Sequence, residues 1–600
     1  MKLGLEIHQR LNTHKLFCEC PSPGSFDLPV SGSETGNVKP KTVLRMLHPV
    51  YSEMGEVDKA ALEAAGREQS FEYLFYPNCG CLVELDEEPP HPMNSEALNI
   101  GLEIAAQLNS KPVDEVHTMR KIVIDGSNTS GFQRTAVISL GGKVESSKGD
   151  VRITTVAIEE ESAGIVEKKD GRSVYSLDRL GIPLVEIGTE PDIKDPEQLR
   201  EVAEKLGLIL RATGKVMRGL GTIRQDVNVS IEGGARVEIK GAQDLRTISL
   251  LAQNEAKRQE NLLSIITELK KRFNNKFHVE AQIVDLSPAF VGTQAKMVKT
   301  GLESGQRILG MKLAHHAGLL GKEINPARRY GTELSDYAKT AGVKGIIHSD
   351  EALEKYGITP EEAQEVRALL GVKEGDAFAM VIAKESVARK ALEKALERAN
   401  MDFVPKETRK ANEDGTSSYM RPLPGKARLY PETDIPPVKI TQALLATVAE
   451  GASESLDQKR ENLSKILNKD MAERILRSKH LKLFEKFVQE GVEPMLAAST
   501  LEDTLTMLRR ENVAVDEQAL VSLFASYKKG EFVKSAIPDL LRGMAAGKTV
   551  EQALDEKQLR KITGAELKRI IEENKGNFGQ IMAKYRLRVD AAEVQVLLKK

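Results

Sequence analysis

The sequence predicts a multidomain α+β protein: an antiparallel sheet packed on helices, an inserted α/β region, and an all-helical C-terminal part. Three observations carry this. At 600 residues the chain is far longer than one hydrophobic core supports. Its early segments alternate apolar and ionisable residues with the period of two of a half-buried strand. Beyond Thr441 the apolar spacing turns almost wholly helical.

Composition narrows the function classes. With 40% hydrophobic and 29% charged residues the chain can build several cores, which excludes bulk disorder. Lys and Arg total 86 against 88 for Asp and Glu, a net charge of -2, so any nucleic-acid surface is local rather than global. No window approaches the roughly 18 apolar residues of a membrane span, and Met1–Glu6 leads into a charged strand instead of a signal-peptide core. A cytoplasmic protein with no membrane partner is expected.

In chain order, Lys2–His8 is a predicted strand with Leu3, Leu5 and Ile7 on one face and Glu6 and His8 on the other. Ile223–Ile231 repeats the pattern, placing Arg224, Asp226, Asn228 and Ser230 together opposite Val227 and Val229, and Arg236–Lys240 follows suit. Such strands predict a sheet with one face covered and the other polar and open. Helices to cover it are expected over Ser95–Leu108, after Asp195-Pro196-Glu197 with its N-cap and first-turn proline, and from about Leu250 to Phe273. From Phe277 to Lys406 the texture becomes mixed α/β, with a strand at Phe378–Ala383 and a helix at Glu385–Asn400. Glu407–Tyr419 is polar and loop-like, and a Pro- and Arg-rich segment runs on to Pro437. The expected domains are 1–276 with a return segment 407–440, an insert 277–406, a helical domain 441–530 and a tail 531–600. Residues 555–600 hold eleven Lys and Arg against seven Asp and Glu, a local positive excess.

Four cysteines are too few for a disulfide framework. They form two tight pairs, Cys18/Cys20 and Cys79/Cys81, the number of thiolates that a closed, structural zinc site takes; unrelated buried thiols are the plainer alternative. Gly543–Thr549 superficially resembles a phosphate-binding loop but has three residues between its glycines where four are needed. It reads better as a helix break with Thr549 as N-cap and Gln552 as capping-box partner.

Ionisable groups on strand faces are the more informative feature. Val156–Glu161 ends with Glu159 and Glu161 on one face and Glu160 on the other. Glu186 interrupts the apolar run Pro183–Ile187, where a buried carboxylate needs a cationic partner. One histidine with several carboxylates matches the hard donor set of Mg²⁺, which commonly bridges protein to nucleotide phosphates, and Arg224 has the rigid fork suited to phosphate.

At these residues the chain resembles a known family. Gly4-Leu-Glu-Ile-His-Gln-Arg-Leu11, Glu160-Glu-Ser-Ala-Gly164, Leu177–Ile187 with Glu190-Pro-Asp192, Ile223–Ser230 and Arg428–Pro436 together resemble the GatB/GatE family of tRNA-dependent amidotransferase subunits. The insertion resembles the domain that the archaeal E-type branch shares with bacterial aspartyl-tRNA synthetases. The resemblance implies a cradle-shaped catalytic domain that uses ATP and Mg²⁺ to phosphorylate the γ-carboxylate of glutamate misacylated onto tRNA(Gln), so that ammonia can displace the phosphate. It implies catalytic roles for His8, Glu161 and Glu186, and magnesium ligands among Glu6, His8, Glu159, Glu161 and Glu186, with the choice among Glu159, Glu160 and Glu161 open. It assigns Arg224, Asp226 and Asn228 to ATP or phosphate, and Cys18, Cys20, Cys79 and Cys81 to zinc. No Thr-Gly-Gly-Thr or Gly-Gly-Ser-Ser glutaminase motif occurs, so ammonia is expected from a GatD-like partner of the asparaginase family. Charged tRNA(Gln) is expected on the helical and tail domains. A B-type subunit acting on aspartyl-tRNA(Asn) and a non-catalytic tRNA-binding assembly subunit are the competing readings.

Overall fold

A computed structural model describes residues 1–23, 39–47, 70–169, 172–275, 277–423, 429–452 and 454–599. Pro424 and Arg428 of the proline-rich segment lie outside the described residues. Residue contacts divide the chain into two compact units, Met1–Ala452 and Ser453–Lys600.

The first unit is organised by one large sheet. Its main strands are β1 (Lys2–Arg10), β2 (Thr118–Ile122), β3 (Phe132–Leu140), β4 (Val151–Glu160), β5 (Pro183–Thr189), β6 (Ile223–Ser230), β7 (Val237–Lys240), β8 (Glu407–Ala411), β9 (Ser417–Pro422) and β10 (Leu429–Pro431). They lie in the order β9-β8-β7-β6-β1-β5-β4-β3-β2-β10. Only β7 and β8 pair in parallel along this path. Leu3, Leu5, Ile7, Val185, Ile187, Val227 and Val229 are fully buried on the covered side. Three helices pack on the sheet: α1 (Ser95–Gln107) on β3 and β4, α2 (Pro196–Ala212) on β1, and α3 (Ile248–Arg272) on β6. These match the expected helices, and Asp195 caps α2 as expected, its carboxylate accepting from the Glu197 and Gln198 amides. Close approach of α1 depends on Gly101: a Cβ there would meet the Ile138 and Ile158 Cδ1 atoms at 2.7 Å.

The 277–406 stretch forms its own four-stranded sheet, in the order Ile283–Asp285, Arg307–Leu313, Ala377–Ala383, Ile347–His348. Leu309, Met311, Ala379 and Val381 face a core with Leu334 and Leu392, while Ile308, Phe378 and Met380 face a second core with Val298 and Val366. Helices thus cover both sides of this sheet, and the expected Phe378–Ala383 strand and Glu385–Asn400 helix are both present within a residue of their ends.

The loop expected over Glu407–Tyr419 is instead the β8–β9 hairpin. Polar composition misleads here because the charges are buried in pairs: Arg258 on α3 contacts Glu255 at 2.9 Å, Glu333 at 2.6 Å and Glu407 at 3.3 Å, and Arg409 contacts Glu333 at 3.3 Å. Arg398 adds a third guanidinium, 3.3 Å from Glu333. Three cations balance three carboxylates, so strands of polar residues are stable in the interior.

The second unit is helical, and among the described residues no strand follows Lys439. Thr549 caps the Val550–Glu556 helix in a reciprocal box with Gln552, as expected, and the Gly543–Thr549 stretch is a helix end and turn. No described helix is long and apolar enough to cross a membrane.

Candidate functional site on the open sheet face

Antiparallel register builds the site. Directly opposed residues in such a ladder point to the same side. His8 on β1 opposes Glu186 on β5 and Arg224 on β6, while Glu6 opposes Asp226 and Gly4 opposes Asn228. One strand further, Glu159 on β4 stands opposite Leu184, two residues from Glu186 and therefore on the same face. The His8 Nε2 atom lies 3.3 Å from Glu186 Oε2 and 3.7 Å from Glu159 Oε2. Lys121 on β2 closes the group, with Nζ against Glu159 and 3.8 Å from Glu186 Oε2, and Gln133 donates to Glu159 at 3.2 Å.

Electrostatics follow from this crowding. Burial works to lower the His8 pKa, but Glu186, which also hydrogen-bonds it, and Glu159 outweigh burial and raise it. Burial and the neighbouring Glu186 charge raise Glu159. Burial also opposes ionisation of Glu186, yet His8 and Lys121 hold it well below the usual carboxylate range. The set is an imidazole and two carboxylates whose ligand atoms all lie within 4.8 Å of one another, a donor group that fits a hard divalent cation.

The three consecutive glutamates take three different environments. Glu159 joins His8 and Glu186. Glu160 points to the opposite side, where its carboxylate accepts from the Arg134 amide at 2.9 Å; Arg134 also holds Glu432 at 3.0 Å. Glu161 is fully buried among arginines: Oε2 accepts from Arg10 Nε at 2.9 Å, and Oε1 from Arg224 Nη2 at 2.7 Å and Arg179 Nη2 at 3.5 Å. Burial would raise its pKa, and Arg224, Arg10 and Arg179 together lower it. Of the three glutamates left open as metal ligands, Glu159 is the one the structure sets beside His8 and Glu186, while the Glu161 oxygens accept from guanidinium donors.

Glu6, Asp226 and Asn228 converge as well, but in a second acidic group. Oxygens of Glu6, Asp226 and Glu238 lie within 4.8 Å of one another. Asn228 donates to Glu6 at 3.1 Å, and Lys240 pairs with Asp226 at 2.7 Å and Glu238 at 2.6 Å. Burial, then Glu238 and Glu186, raise the Glu6 pKa. Asp226 and Asn228 thus face carboxylates and a lysine, and among the described residues Arg224 pairs with Glu161 instead.

The thiols assemble beside this sheet. Cys18, Cys20 and Cys81 group with Glu84, their ligand atoms within 4.8 Å of one another, whereas Cys79 is buried but outside that group. Of the four expected thiols, three group with a carboxylate and the fourth lies outside their group. Glu84 accepts from Cys18 Sγ at 3.0 Å and the Cys81 amide at 2.7 Å, and fully buried Lys15 lies 3.4 Å away. A hydrogen bond from Cys18 brings Cys20 down to about 7, while burial pushes Cys79 up to about 11. Soft thiolates and one carboxylate fit zinc.

Sequence reasoning does not single out Lys121, Gln133, Glu84, Lys15, Lys240 or Glu238. Each acts through strand register or loop closure, which spacing does not encode. Arg10 and Arg179 had a signal, since both sit inside the motifs that carry the family resemblance.

An imidazole and two carboxylates beside an arginine cluster, laid on the open face of a large sheet and followed by a separate helical unit, define a multidomain α/β protein with a polar site on its sheet. Residues 1–446 match the GatB/GatE catalytic domain and residues 482–600 match the GatB domain. The chain belongs to the GatB/GatE family. It is 44% identical to the E subunit of glutamyl-tRNA(Gln) amidotransferase from Methanocaldococcus jannaschii, covering 100% of this chain and 98% of that one. Similar relatives of the same name come from Pyrococcus furiosus, 46% identical over 96% of this chain and 90% of the relative, and Methanopyrus kandleri, 45% identical over 91% and 86%.

Proposed function

We propose that this chain converts glutamate esterified to tRNA(Gln) into glutamine: it phosphorylates the γ-carboxylate with ATP and lets ammonia displace the phosphate. A free carboxylate is a poor electrophile, and esterifying it with phosphate supplies a leaving group. The observation that carries the reading is the placement of His8 between Glu186 and Arg224, which sets a divalent-cation donor group against a guanidinium on one sheet face. Full-length identity to relatives bearing the amidotransferase name supports it.

In this reading His8, Glu159 and Glu186 hold Mg²⁺, with Glu6 nearby, and a bound Mg²⁺ neutralises phosphate charge. Lys121 restrains the Glu159 and Glu186 carboxylates, and Arg224 binds phosphate oxygens. Asp226 and Asn228 set the position of Glu6. A structural zinc is held by Cys18, Cys20 and Cys81, with Cys79 or Glu84, both buried beside them, as the fourth donor. Residues 1–276 and 407–440 form the catalytic cradle, 277–406 a synthetase-like insert, and 441–530 and 531–600 helical and tail domains that bind tRNA. Ammonia comes from a GatD-like glutaminase partner in the cytoplasm.

The test is amide formation by the full chain with glutamyl-tRNA(Gln), ATP and Mg²⁺, using ammonium in place of the partner. Glutaminyl-tRNA is the expected product. Binding of the tRNA with no amide formed, with or without the glutaminase, would establish an assembly role instead.

A further inference from the structure

We propose that Arg179 and Arg224, backed by Arg10, form a subsite for a phosphate dianion, and that Glu161 is the positioning residue holding the three guanidiniums together. This rests on the phosphoryl-transfer reading above and names the side chains that receive the transferred group.

Charge stoichiometry is the first argument. Three guanidiniums surround one carboxylate, and among the described residues no second carboxylate comes within ion-pair distance of any of them. Asp178, next to Arg179, acts only at longer range. Two positive charges remain in excess, matching a phosphate monoester or acyl phosphate dianion.

Burial is graded in the way a subsite requires. The Glu161 side chain is 0% exposed and that of Arg10 8%, whereas Arg179 and Arg224 are 33% and 37% exposed. The anchor is inside, and the Arg179 and Arg224 side chains reach solvent. Arg179 Nε is buried without a hydrogen-bond partner, a donor in want of an acceptor.

Backbone geometry fixes the arrangement. The Glu161 amide donates to the Ile182 carbonyl at 2.7 Å and the Gly181 amide to the Glu161 carbonyl at 3.0 Å, so the turn that carries Arg179 is stitched to Glu161. Gly181 adopts φ +85°, a left-handed conformation other residues adopt with strain. Arg224 opposes His8, which places the subsite directly beside the cation donor group.

The chemistry then balances. A γ-carboxylate oxygen bonds to the γ-phosphorus while the bond from that phosphorus to the ADP oxygen breaks. Ammonia next bonds to the acyl carbon and the carbon–oxygen bond to phosphate breaks; one ammonia proton leaves on the departing HPO₄²⁻. The dianion occupies the subsite first as acyl phosphate and then as product.

The experiment is a titration of the full chain with inorganic phosphate in Mg²⁺-free buffer, followed by ³¹P line broadening, with melting temperatures recorded in parallel. Wild type is expected to bind saturably, Arg179→Gln to bind about tenfold more weakly or worse, and Arg179→Lys, which keeps the charge but loses the fork, to fall between. Glu161→Gln is expected to lower kcat for amide formation while leaving KM for glutamyl-tRNA within twofold, a split that general unfolding does not produce. Absence of saturable phosphate binding by wild type overturns the subsite. Equal affinities in wild type and both Arg179 variants at unchanged melting temperature overturn it too; should Arg179→Gln fail to fold, Arg179→Lys alone decides. A chain that binds phosphate through Arg179 yet makes no glutaminyl-tRNA keeps the subsite and removes the functional reading, and the converse result does the reverse.

Discussion

His8 and Glu186 are directly opposed across neighbouring strands, with the imidazole Nε2 3.3 Å from the carboxylate. Among the described residues, His8 and Lys121 are the cationic side chains within ion-pair distance of Glu186. Glu186→Gln keeps the shape and removes the charge. Phosphoryl transfer is expected to fall by at least about a hundredfold, the scale of one electrostatic contact at a developing charge. Affinity for tRNA is expected to stay within twofold, and normal turnover in single-turnover kinetics would remove Glu186 from the site.

Buried Arg258 contacts all three of Glu255, Glu333 and Glu407, which come from α3, the insert and the β8 strand. Arg258→Met leaves carboxylates uncompensated where water cannot reach them. A loss of about 3–5 kcal/mol in denaturant unfolding of the first unit is expected. A loss under about 1 kcal/mol would mean that Arg398 and Arg409 suffice.

His316 is fully buried against Tyr330, and burial first of all holds its pKa down at about 4, from 6.5. Arg272 and His315 push in the same direction, while the Ala314 carbonyl and Asp350 oppose. Because the folded value lies below the unfolded one, the unfolded chain binds the extra proton: stability is full above about pH 6.5 and is lost as pH falls toward about 4. His316→Phe is expected to remove this part of the acid sensitivity, read as a flatter melting temperature between those two pH values. An unchanged slope would show that His316 is not its source.

Cys20 and Cys81 belong to a group of donors drawn from two distant loops. Cys81→Ser is expected to release zinc and to lower the melting temperature by several degrees, since metal binding contributes directly to folding. Metal analysis of wild type that finds no zinc, with equal melting temperatures, would leave these thiols without a ligand role.

Legibility in the sequence followed the range of the interaction. The Lys2–His8 alternation and the Asp195-Pro196 start of α2 are local, and both elements form where the pattern places them. The polar face bearing Glu6, His8, Arg224, Asp226 and Asn228 was readable because side-chain direction in a strand has period two. Partnership was not. Whether Glu159 or Glu161 stands beside His8 depends on β5 lying between β1 and β4, and Lys121 arrives from two strands further out. The β8–β9 hairpin was hidden for a related reason, since Glu407 and Arg409 look solvated until Arg258, more than a hundred residues earlier in the chain, is set against them.

Oxygen bookkeeping tests the central claim most directly. Glutamyl-tRNA(Gln) labelled with ¹⁸O in the γ-carboxylate is incubated with the full chain, ATP, Mg²⁺ and ammonium, and the released phosphate is analysed by mass spectrometry. Activation through an acyl phosphate predicts one ¹⁸O in each phosphate formed with glutaminyl-tRNA, because the attacking carboxylate oxygen leaves on phosphorus. Unlabelled phosphate accompanying amide formation would contradict it, showing that ATP is cleaved by water and that the carboxylate is activated by another route.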